Sequence, residues 1–201
     1  MSRLPRLTRD AMTDAQREAY DAIVQARSQL PPDAPQGVYP SAPPVSDGSL
    51  TGPFAAWVRS PVVGRRLVSL GGALRFRTTL APRLTELAIL VTARAWTAQY
   101  EWYAHAPFAE RAGVAPSVID AIRRRERPRF EHADEEAVYD FANELHATHE
   151  VSDATYQRAI GHLGEPGVVE LVALLGYYVA VSMTLNAFQV AAPGDRPPLG
   201  G

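Results

Sequence analysis

The sequence contains neither cysteine nor lysine, so all 20 of its lysine or arginine positions are arginine. The absence of cysteine excludes disulfides, thiolate nucleophiles and cysteine-ligated zinc or iron–sulfur centres. The absence of lysine excludes Schiff-base chemistry, the internal aldimine of pyridoxal phosphate enzymes and the P-loop lysine. The chemistry left to the chain is that of carboxylates, imidazoles, hydroxyls, tyrosines and metal ions.

The chain also has little net charge. Its 20 basic and 22 acidic residues leave a net charge of -2 at pH 7, which offers no general electrostatic field for a polyanion, and we expect no nucleic-acid partner. An arginine-rich run at residues 123–129 has acidic neighbours and is interpreted as a solvated helix end. With 201 residues, 46% of them hydrophobic, the chain is large enough for one globular core.

Long apolar runs are scarce. No N-terminal stretch is apolar enough for a signal peptide, so we expect a cytoplasmic protein. Residues 171–190 carry no charge, but four polar side chains dilute the segment: Ser182, Thr184, Asn186 and Gln189. No basic cluster follows to anchor it at a membrane interface. We interpret it as a helix buried between neighbouring helices or subunits and expect no membrane partner.

Apolar residues recur with helical spacing between proline and glycine breaks, which predicts an all-α fold. No run of four or more residues alternates with the period of two that a strand requires. The first expected helix, at about 14–28, begins with a capping box of Thr13 and Gln16, and a short helical turn follows at 54–58. The next helices are expected from Ser60 to near Gly71 and Gly72, at 82–96, and from a cap at Thr97 to 112. The last four are expected at 116–125, at 133–148, from Ser152 to Gly164, and from Pro166 onward as a long apolar helix.

Prolines divide the chain into three segments. Residues 30–53 hold seven of the 17 prolines and are unable to form a regular ladder, so we expect residues 1–52 to comprise a helix and a proline-rich arm. Residues 53–191 should form the helical domain, and residues 192–201 a flexible tail. The arm is long enough to wrap around a neighbouring subunit or to cover the mouth of a cavity.

A polar stripe is expected around the stretch AQYEWYAH, residues 98–105. On a continuous helix the side chains of Arg94, Ala98, Glu101 and His105 would share one face. This face is either exposed to solvent, with an ordinary acid–base pair four residues apart, or it lines a cavity in which the groups must be paired because burial is costly. In the second case nearby aromatic residues would shelter it: Trp96, Tyr100, Trp102, Tyr103 and Phe108.

Glu86 is the one acid in the apolar part of the preceding helix, 12 residues before Ala98. A bend near Thr97 would turn it toward the stripe. A carboxylate in apolar surroundings has a raised pKa and exchanges protons near neutral pH, and a histidine is a natural partner for it. Glu86, Glu101 and His105 are therefore the candidate catalytic residues.

The spacing of these residues resembles the Glu-x11-Cys-x-x-Cys-x3-His motif of the carboxymuconolactone decarboxylase superfamily, which includes the alkylhydroperoxidase D-like proteins. The resemblance covers about residues 50–190 and includes SLTGPFAAWVRSPVVGRRLVSLGGALR and LTELAILVTARAWTAQYEWYAHAPFAERAGV. It implies an alkylhydroperoxidase D-like helical bundle for residues 53–191, assembled as a homo-oligomer, a trimer or a hexamer.

The resemblance also implies that Glu86 and His105 stand at the positions of the family's proton-relay glutamate and histidine. Ala98 and Glu101 then stand at the positions of the two cysteines of the peroxidase branch. Thiol peroxidase chemistry needs one thiolate to attack the peroxide and a second thiol to resolve the product. Because both are absent, we exclude that activity.

The leading hypothesis is a cofactor-free enzyme that resembles the decarboxylase branch and uses general acid–base catalysis on a small carboxylate or lactone substrate. Glu101 or His105 would exchange the proton and Glu86 would orient or relay. The candidate substrate-binding residues are Arg94, which would hold a carboxylate, and Ala98, Trp102 and Tyr178.

Two alternatives remain open. Glu86, Glu101 and His105 could form a metal-binding set of two carboxylates and one imidazole. The chain could also be a degenerate family member that acts as a small-ligand-binding protein or as a structural oligomer.

Overall fold

The computed structural model describes residues 2–28, 47–192 and 199–200, and most of the predicted proline-rich arm lies outside them. The described residues form a helical bundle without strands, which confirms the all-α prediction. Within these ranges a 3-10 turn at Arg9–Ala11 precedes eight α-helices: α1 Asp14–Ser28, α2 Pro53–Trp57, α3 Pro61–Phe76, α4 Pro82–Ala95, α5 Gln99–Arg111, α6 Pro116–Arg123, α7 Ala133–Thr148 and α8 Asp153–Ala187.

Helix α4 lies at the centre of the bundle and packs against α5, α7 and α8. Every residue from 84 to 94 is buried, because neighbouring helices surround α4 on several sides. A helix in this position must be apolar nearly all round. Glu86 lies in this segment, so its carboxylate needs a polar partner from another helix.

Local chemistry fixes several helix starts as predicted. The backbone N–H of Thr13 donates to Gln16 Oε1 at 3.0 Å, and the N–H of Gln16 donates to Thr13 Oγ1 at 3.3 Å, a reciprocal capping box at the start of α1. Ser152 Oγ accepts from the N–H of Thr155 at the start of α8. Both predicted caps are confirmed.

Helix α3 was predicted to end near Gly71 and Gly72, and this prediction is wrong because α3 continues to Phe76. Gly71 is buried inside the helix, where the Tyr177 side chain of α8 approaches it. A Cβ at position 71 would overlap with the Tyr177 hydroxyl and lie 2.6 Å from its Cζ. This glycine therefore permits close helix packing and does not stop the helix.

The predicted polar stripe assumed one continuous helix from Arg94 to His105. The structure instead has a break between α4 and α5. Helix α4 ends at Ala95, Thr97 has a left-handed φ of 46°, and Ala98, rather than Thr97, is the N-cap of α5. This turn folds α5 back against α4. Glu86 of α4 and His105 of α5 consequently face each other across the contact between the two helices.

Helix α8 contains a kink at Gly164, with φ 69° and ψ 171°, followed by Pro166. The sequence predicted two helices with their boundary at this point. The most apolar part of α8 is long and apolar enough to cross a membrane, with a mean hydropathy of 1.9, but half of that window is buried inside the bundle. Core helices of soluble proteins share this pattern.

The two ends of the described chain pack on the outside of the bundle. Helix α1 lies against α3, and a second small core joins Met12, Tyr20, Ile23, Leu50 and Val58. At the other end Leu199 is buried, and its backbone N–H donates to Gln99 Oε1 at 2.7 Å. Most of the predicted flexible tail, residues 192–201, lies outside the described residues.

Candidate active site

The imidazole of His105 lies between two carboxylates. Its Nδ1 is 2.6 Å from Glu86 Oε2, and its Nε2 is 3.2 Å from Glu101 Oε1. Glu101 precedes His105 by one turn of α5, while Glu86 comes from α4. The structure thus brings together the three residues that the sequence identified as catalytic candidates.

These three residues are buried, with exposed fractions of 0% for Glu86, 4% for Glu101 and 5% for His105. The alternative of an ordinary solvent-exposed ion pair is therefore wrong. Two aromatic rings stand edge-on to the imidazole: Phe108 at 5.5 Å and Tyr178 at 5.2 Å between ring centroids. They exclude water and fix the plane of the imidazole between its two partners.

The surroundings of His105 determine its charge. Burial alone would lower the pKa of His105, but the negative charge of Glu86 and the contacts with both glutamates outweigh burial and raise the pKa to about 9. His105 is therefore an imidazolium at neutral pH, and its two N–H groups are directed at the two carboxylates. A charged ring between two carboxylates is the arrangement of a proton relay.

Arg75 of α3 also reaches the site, a position that no pattern in the sequence predicted. Its Nη2 lies 3.6 Å from Glu86 Oε1, and its guanidinium carbon lies 5.7 Å from the centroid of the Phe108 ring. Two carboxylates, an imidazolium and a guanidinium leave the site without net charge. Gly71 and Arg75 are four residues apart, so both lie on one face of α3.

Two tyrosines of α8 complete the wall of the site. Tyr178 stands edge-on to His105, and Tyr177 stands edge-on to Tyr178 at 5.3 Å. Burial raises the pKa of Tyr177, with a further contribution from the charge of Glu101, and burial likewise raises the pKa of Tyr178. Both phenols therefore stay protonated and can donate hydrogen bonds at neutral pH.

Arg94 does not join the site, which corrects the sequence-based assignment. Its Nε donates to the carbonyl oxygen of Arg123 at 2.9 Å, and its Nη1 donates to Thr97 Oγ1 at 3.4 Å. Arg123 is the last residue of α6, so Arg94 satisfies a carbonyl that the helix leaves without an internal partner. The arginine beside the carboxylates is Arg75.

Ala98 and Trp102 were also predicted to bind substrate. Ala98 is fully buried at the N-cap of α5, where its backbone N–H donates to the carbonyl of Ala93 at 2.8 Å. Trp102 lines a separate groove between α5 and α6, together with Ile119 and Leu199. Of the four predicted substrate-binding residues, the structure places Tyr178 beside the acid–base set.

The metal-binding alternative is not supported by the donor geometry. Among residues 2–28, 47–192 and 199–200, no group of three or more histidine, cysteine, aspartate and glutamate side chains is arranged to hold a metal ion. Both ring nitrogens of His105 are directed at carboxylate oxygens. A metal would need one of them with a free lone pair.

The fold has known counterparts. Comparison with family models and with curated protein sequences finds no match. Among solved structures, the apo form of the debrominase Bmp8 superposes with a TM-score of 0.68, 12% sequence identity, and coverage of 91% of this chain and 90% of that one. The chain shares its fold with Bmp8. A cysteine-to-alanine variant of Bmp8 in complex with 2,3,4-tribromopyrrole gives the same TM-score and identity, with coverage of 96% and 95%.

Proposed function

We propose that the protein is an enzyme that uses general acid–base catalysis, without a cofactor, on a small carboxylate or lactone substrate, in a decarboxylation or a related proton transfer. The observation that carries this proposal is the buried imidazole of His105 between Glu86 and Glu101. Such a set stores a proton in a water-poor site and can deliver it to a bound substrate.

The geometry favours Glu101 as the group that exchanges the proton with substrate. His105 is protonated at neutral pH and directs both N–H groups at carboxylates, so it is not itself available as a base. The imidazolium beside Glu101 stabilises the carboxylate and resupplies its proton. Glu86 holds the other side of the ring and thereby positions it.

Arg75 is the side chain placed to hold a carboxylate of the substrate. Its guanidinium lies beside Glu86 and over the Phe108 ring, and its side chain is 20% exposed, in contrast to the buried triad. A planar guanidinium suits a carboxylate because it donates two parallel hydrogen bonds. This role replaces the one predicted for Arg94.

Thiol chemistry has no place in the proposal. The structural neighbour was crystallised with 2,3,4-tribromopyrrole as a cysteine-to-alanine variant, whereas this chain has no cysteine at any position. The proposal therefore concerns proton transfer by carboxylate and imidazole groups.

The test is the variant Glu101→Gln, assayed by NMR against β-keto acids and carboxylated lactones. We expect turnover to fall by about 10² or more, because the amide does not accept a proton at this position. Glu110→Gln, an exposed glutamate on the same helix, is the matched control and should retain full activity. Unchanged turnover in Glu101→Gln would remove this residue from the mechanism.

The same set of compounds also tests the alternative that the protein binds a small ligand without converting it. A compound that raises the midpoint of thermal unfolding but is never converted, in either wild type or variant, would favour binding over catalysis. Conversion that depends on Glu101 would decide for the enzyme.

We further propose that the protein works in the cytoplasm as a homo-oligomer, a trimer or a hexamer. Support comes from apolar side chains that the bundle leaves exposed on one helix: Val169 at 69%, Val172 at 45% and Met183 at 49%. Their spacing places them along one side of α8. Apolar stripes of this kind are typical of subunit contacts.

A further inference from the structure

Helices α4 and α6 end in the same Schellman turn, in which the residue that follows the helix has a left-handed backbone. This residue is Thr97 after α4, with a φ of 46°, and Arg125 after α6, with a φ of 60°. Glycine is the common residue at this position, because a side chain strains the left-handed conformation, and α5 ends in the same turn with Gly113. The chain thus places two side chains where local stability favours none, which indicates that these side chains have a role.

The two side chains meet, and Arg94 joins them. Arg125 Nη2 donates to Thr97 Oγ1 at 3.1 Å, and Arg94 Nη1 donates to the same oxygen at 3.4 Å. Two guanidinium groups, from the ends of two different helices, therefore converge on one hydroxyl. Because the oxygen of this hydroxyl already accepts two hydrogen bonds, its proton is left to donate to a third group.

The two converging guanidinium groups have no acidic partner. Within residues 2–28, 47–192 and 199–200, neither Arg94 nor Arg125 forms an ion pair with a carboxylate. Three other arginines of the run at 123–129 do form such ion pairs: Arg123, Arg124 and Arg127. The positive charge at Thr97 is therefore a local feature and not a general property of the arginine-rich run.

Neutral groups satisfy the hydrogen bonds of Arg94 but not its charge. Its Nε donates to the carbonyl of Arg123, and the carbonyl ends of α4 and α6 each carry about half a negative charge, so they offset about one of the two positive charges. Arg94 is only 5% exposed, and burial together with the positive charge of Arg125 lowers the pKa of Arg94. Because a buried charge is stable when it is paired, the missing partner is an anion.

The groove between α5 and α6 begins beside these two arginines. Its volume is about 370 Å³, and Trp102 lies in its wall. Gln99, two residues after Thr97, also lines the groove, as does Arg123, whose carbonyl accepts the hydrogen bond from Arg94. An organic group attached to the anion would therefore find an aromatic wall next to the two guanidinium groups.

We propose that Arg94, Arg125 and Thr97 form a binding site for a phosphate group at the turn between α4 and α5. Two guanidinium groups and a hydroxyl donor suit a tetrahedral group that carries about −1.5 to −2 charge at pH 7. The first turn of α5, which follows directly, adds positive potential from its helix dipole. The phosphate site shares no residue with the buried acid–base set, and the inference does not depend on the function proposed for that set.

The test is a calorimetric titration of the protein with inorganic phosphate. We expect wild type to bind phosphate and Arg125→Gln to bind it about 10-fold or more weakly, because a hydrogen bond between charged groups is lost. Arg129→Gln is the matched control, since it removes the same charge from another exposed position of the run and should keep the affinity of wild type. Thermal unfolding checks that both variants are folded.

The hydroxyl of Thr97 has its own pair of variants. Thr97→Val keeps the shape of the side chain but removes the donor, so we expect weaker phosphate binding. Thr97→Ser keeps the hydroxyl and should retain binding. Equal affinity in the valine and serine variants would remove the hydroxyl from the site.

Three further outcomes decide on the site and its ligand. No saturable binding of phosphate by wild type overturns the site, as does an equal loss of affinity in Arg125→Gln and Arg129→Gln. Acetate that binds as tightly as phosphate overturns the assignment to a phosphate group. Tighter binding of phenyl phosphate than of inorganic phosphate supports a phosphate monoester that extends into the groove, whereas equal binding supports free phosphate.

Discussion

The charge of the His105 side chain at a given pH depends on whether the chain is folded. In an unfolded chain its pKa would be near the ordinary value of about 6.5, whereas in the bundle the two glutamates raise it to about 9. The proton is therefore bound more tightly in the folded state. Folding and proton binding are consequently linked at this one residue.

This linkage gives a pH dependence with a definite sign. The stabilisation is fully present below about pH 6.5 and is lost as the pH rises through about 9, because the folded chain must then give up a proton that it binds better than the unfolded chain does. We expect the free energy of unfolding to fall by on the order of 3 kcal/mol across this range. Urea unfolding of wild type at several pH values measures it.

His105→Gln should lose this part of the pH dependence, whereas His162→Gln, at an exposed position of α8, should keep it. If wild type and His105→Gln lose stability in parallel from pH 6.5 to 9, the imidazolium between the glutamates is not the source of the stabilisation.

At the scale of the elements, the close contact of α3 and α8 positions half of the site. Gly71 lets the Tyr177 side chain approach α3 without a clash, and Arg75 follows one turn later. The same contact thus sets the position of a phenol and of a guanidinium. Space at position 71 is therefore a requirement of the site as well as of the packing.

Gly71→Ala should disturb this contact, because the added methyl group overlaps with the Tyr177 hydroxyl. We expect a loss of about 1–3 kcal/mol in the free energy of unfolding, typical of an overpacked contact. Gly72→Ala is the matched control, since nothing lies within 4 Å of its added Cβ and alanine favours the helix by about 0.5–1 kcal/mol. Thermal or urea unfolding of the two variants compares them directly, and equal stability would contradict the close contact.

The sequence predicted those features of the site and fold that depend on residues close together along the chain. The spacing of four between Glu101 and His105 is a property of a single helix, and capping chemistry predicted the starts of α1 and α8. Glu86 was identified as the one acid in the apolar part of α4, which a bend expected near Thr97 would turn toward the stripe, and the motif spacing then agreed with this assignment. Arg75 was missed because its contact depends on how α3 packs against other helices, which periodicity within α3 does not encode.

Two sequence-based predictions, for Gly71 and for Arg94, were wrong because each applied a rule for a single helix where packing or a turn decides the structure. Gly71 was interpreted as a helix stop, although its lack of a side chain serves an interhelical contact. Arg94 was assigned to the stripe because helical spacing was carried across Thr97, where the left-handed backbone breaks the helix. Both errors arise where tertiary packing or a turn overrides the periodicity of a single helix.

At the scale of the whole molecule, α8 links the site to the outer surface. Its inner side carries Tyr177 and Tyr178, and its outer side carries the exposed apolar residues Val169, Val172 and Met183. An exposed apolar stripe on the helix that also builds the site suits a contact with a second copy of the chain.

A charge in this stripe tests the proposed homo-oligomer. We expect Val172→Asp to shift the protein from the oligomer to the monomer in sedimentation velocity, because a carboxylate buried in an apolar contact has no partner. Tyr156→Asp, on the other side of the kink at Gly164 in the same helix, should leave the sedimentation coefficient unchanged. An oligomer that persists in Val172→Asp, or a wild-type monomer, would contradict the proposed contact.

The burial of the Glu86–His105–Glu101 set has a consequence for the fate of isotopes. A hydrogen taken from a substrate carbon onto Glu101 would be shielded from bulk water by the aromatic rings around the imidazole. The same hydrogen could then return to the substrate before it exchanges with bulk water. Under the proposed proton transfer, a reaction run in deuterated water would leave part of the substrate's own hydrogen in the product.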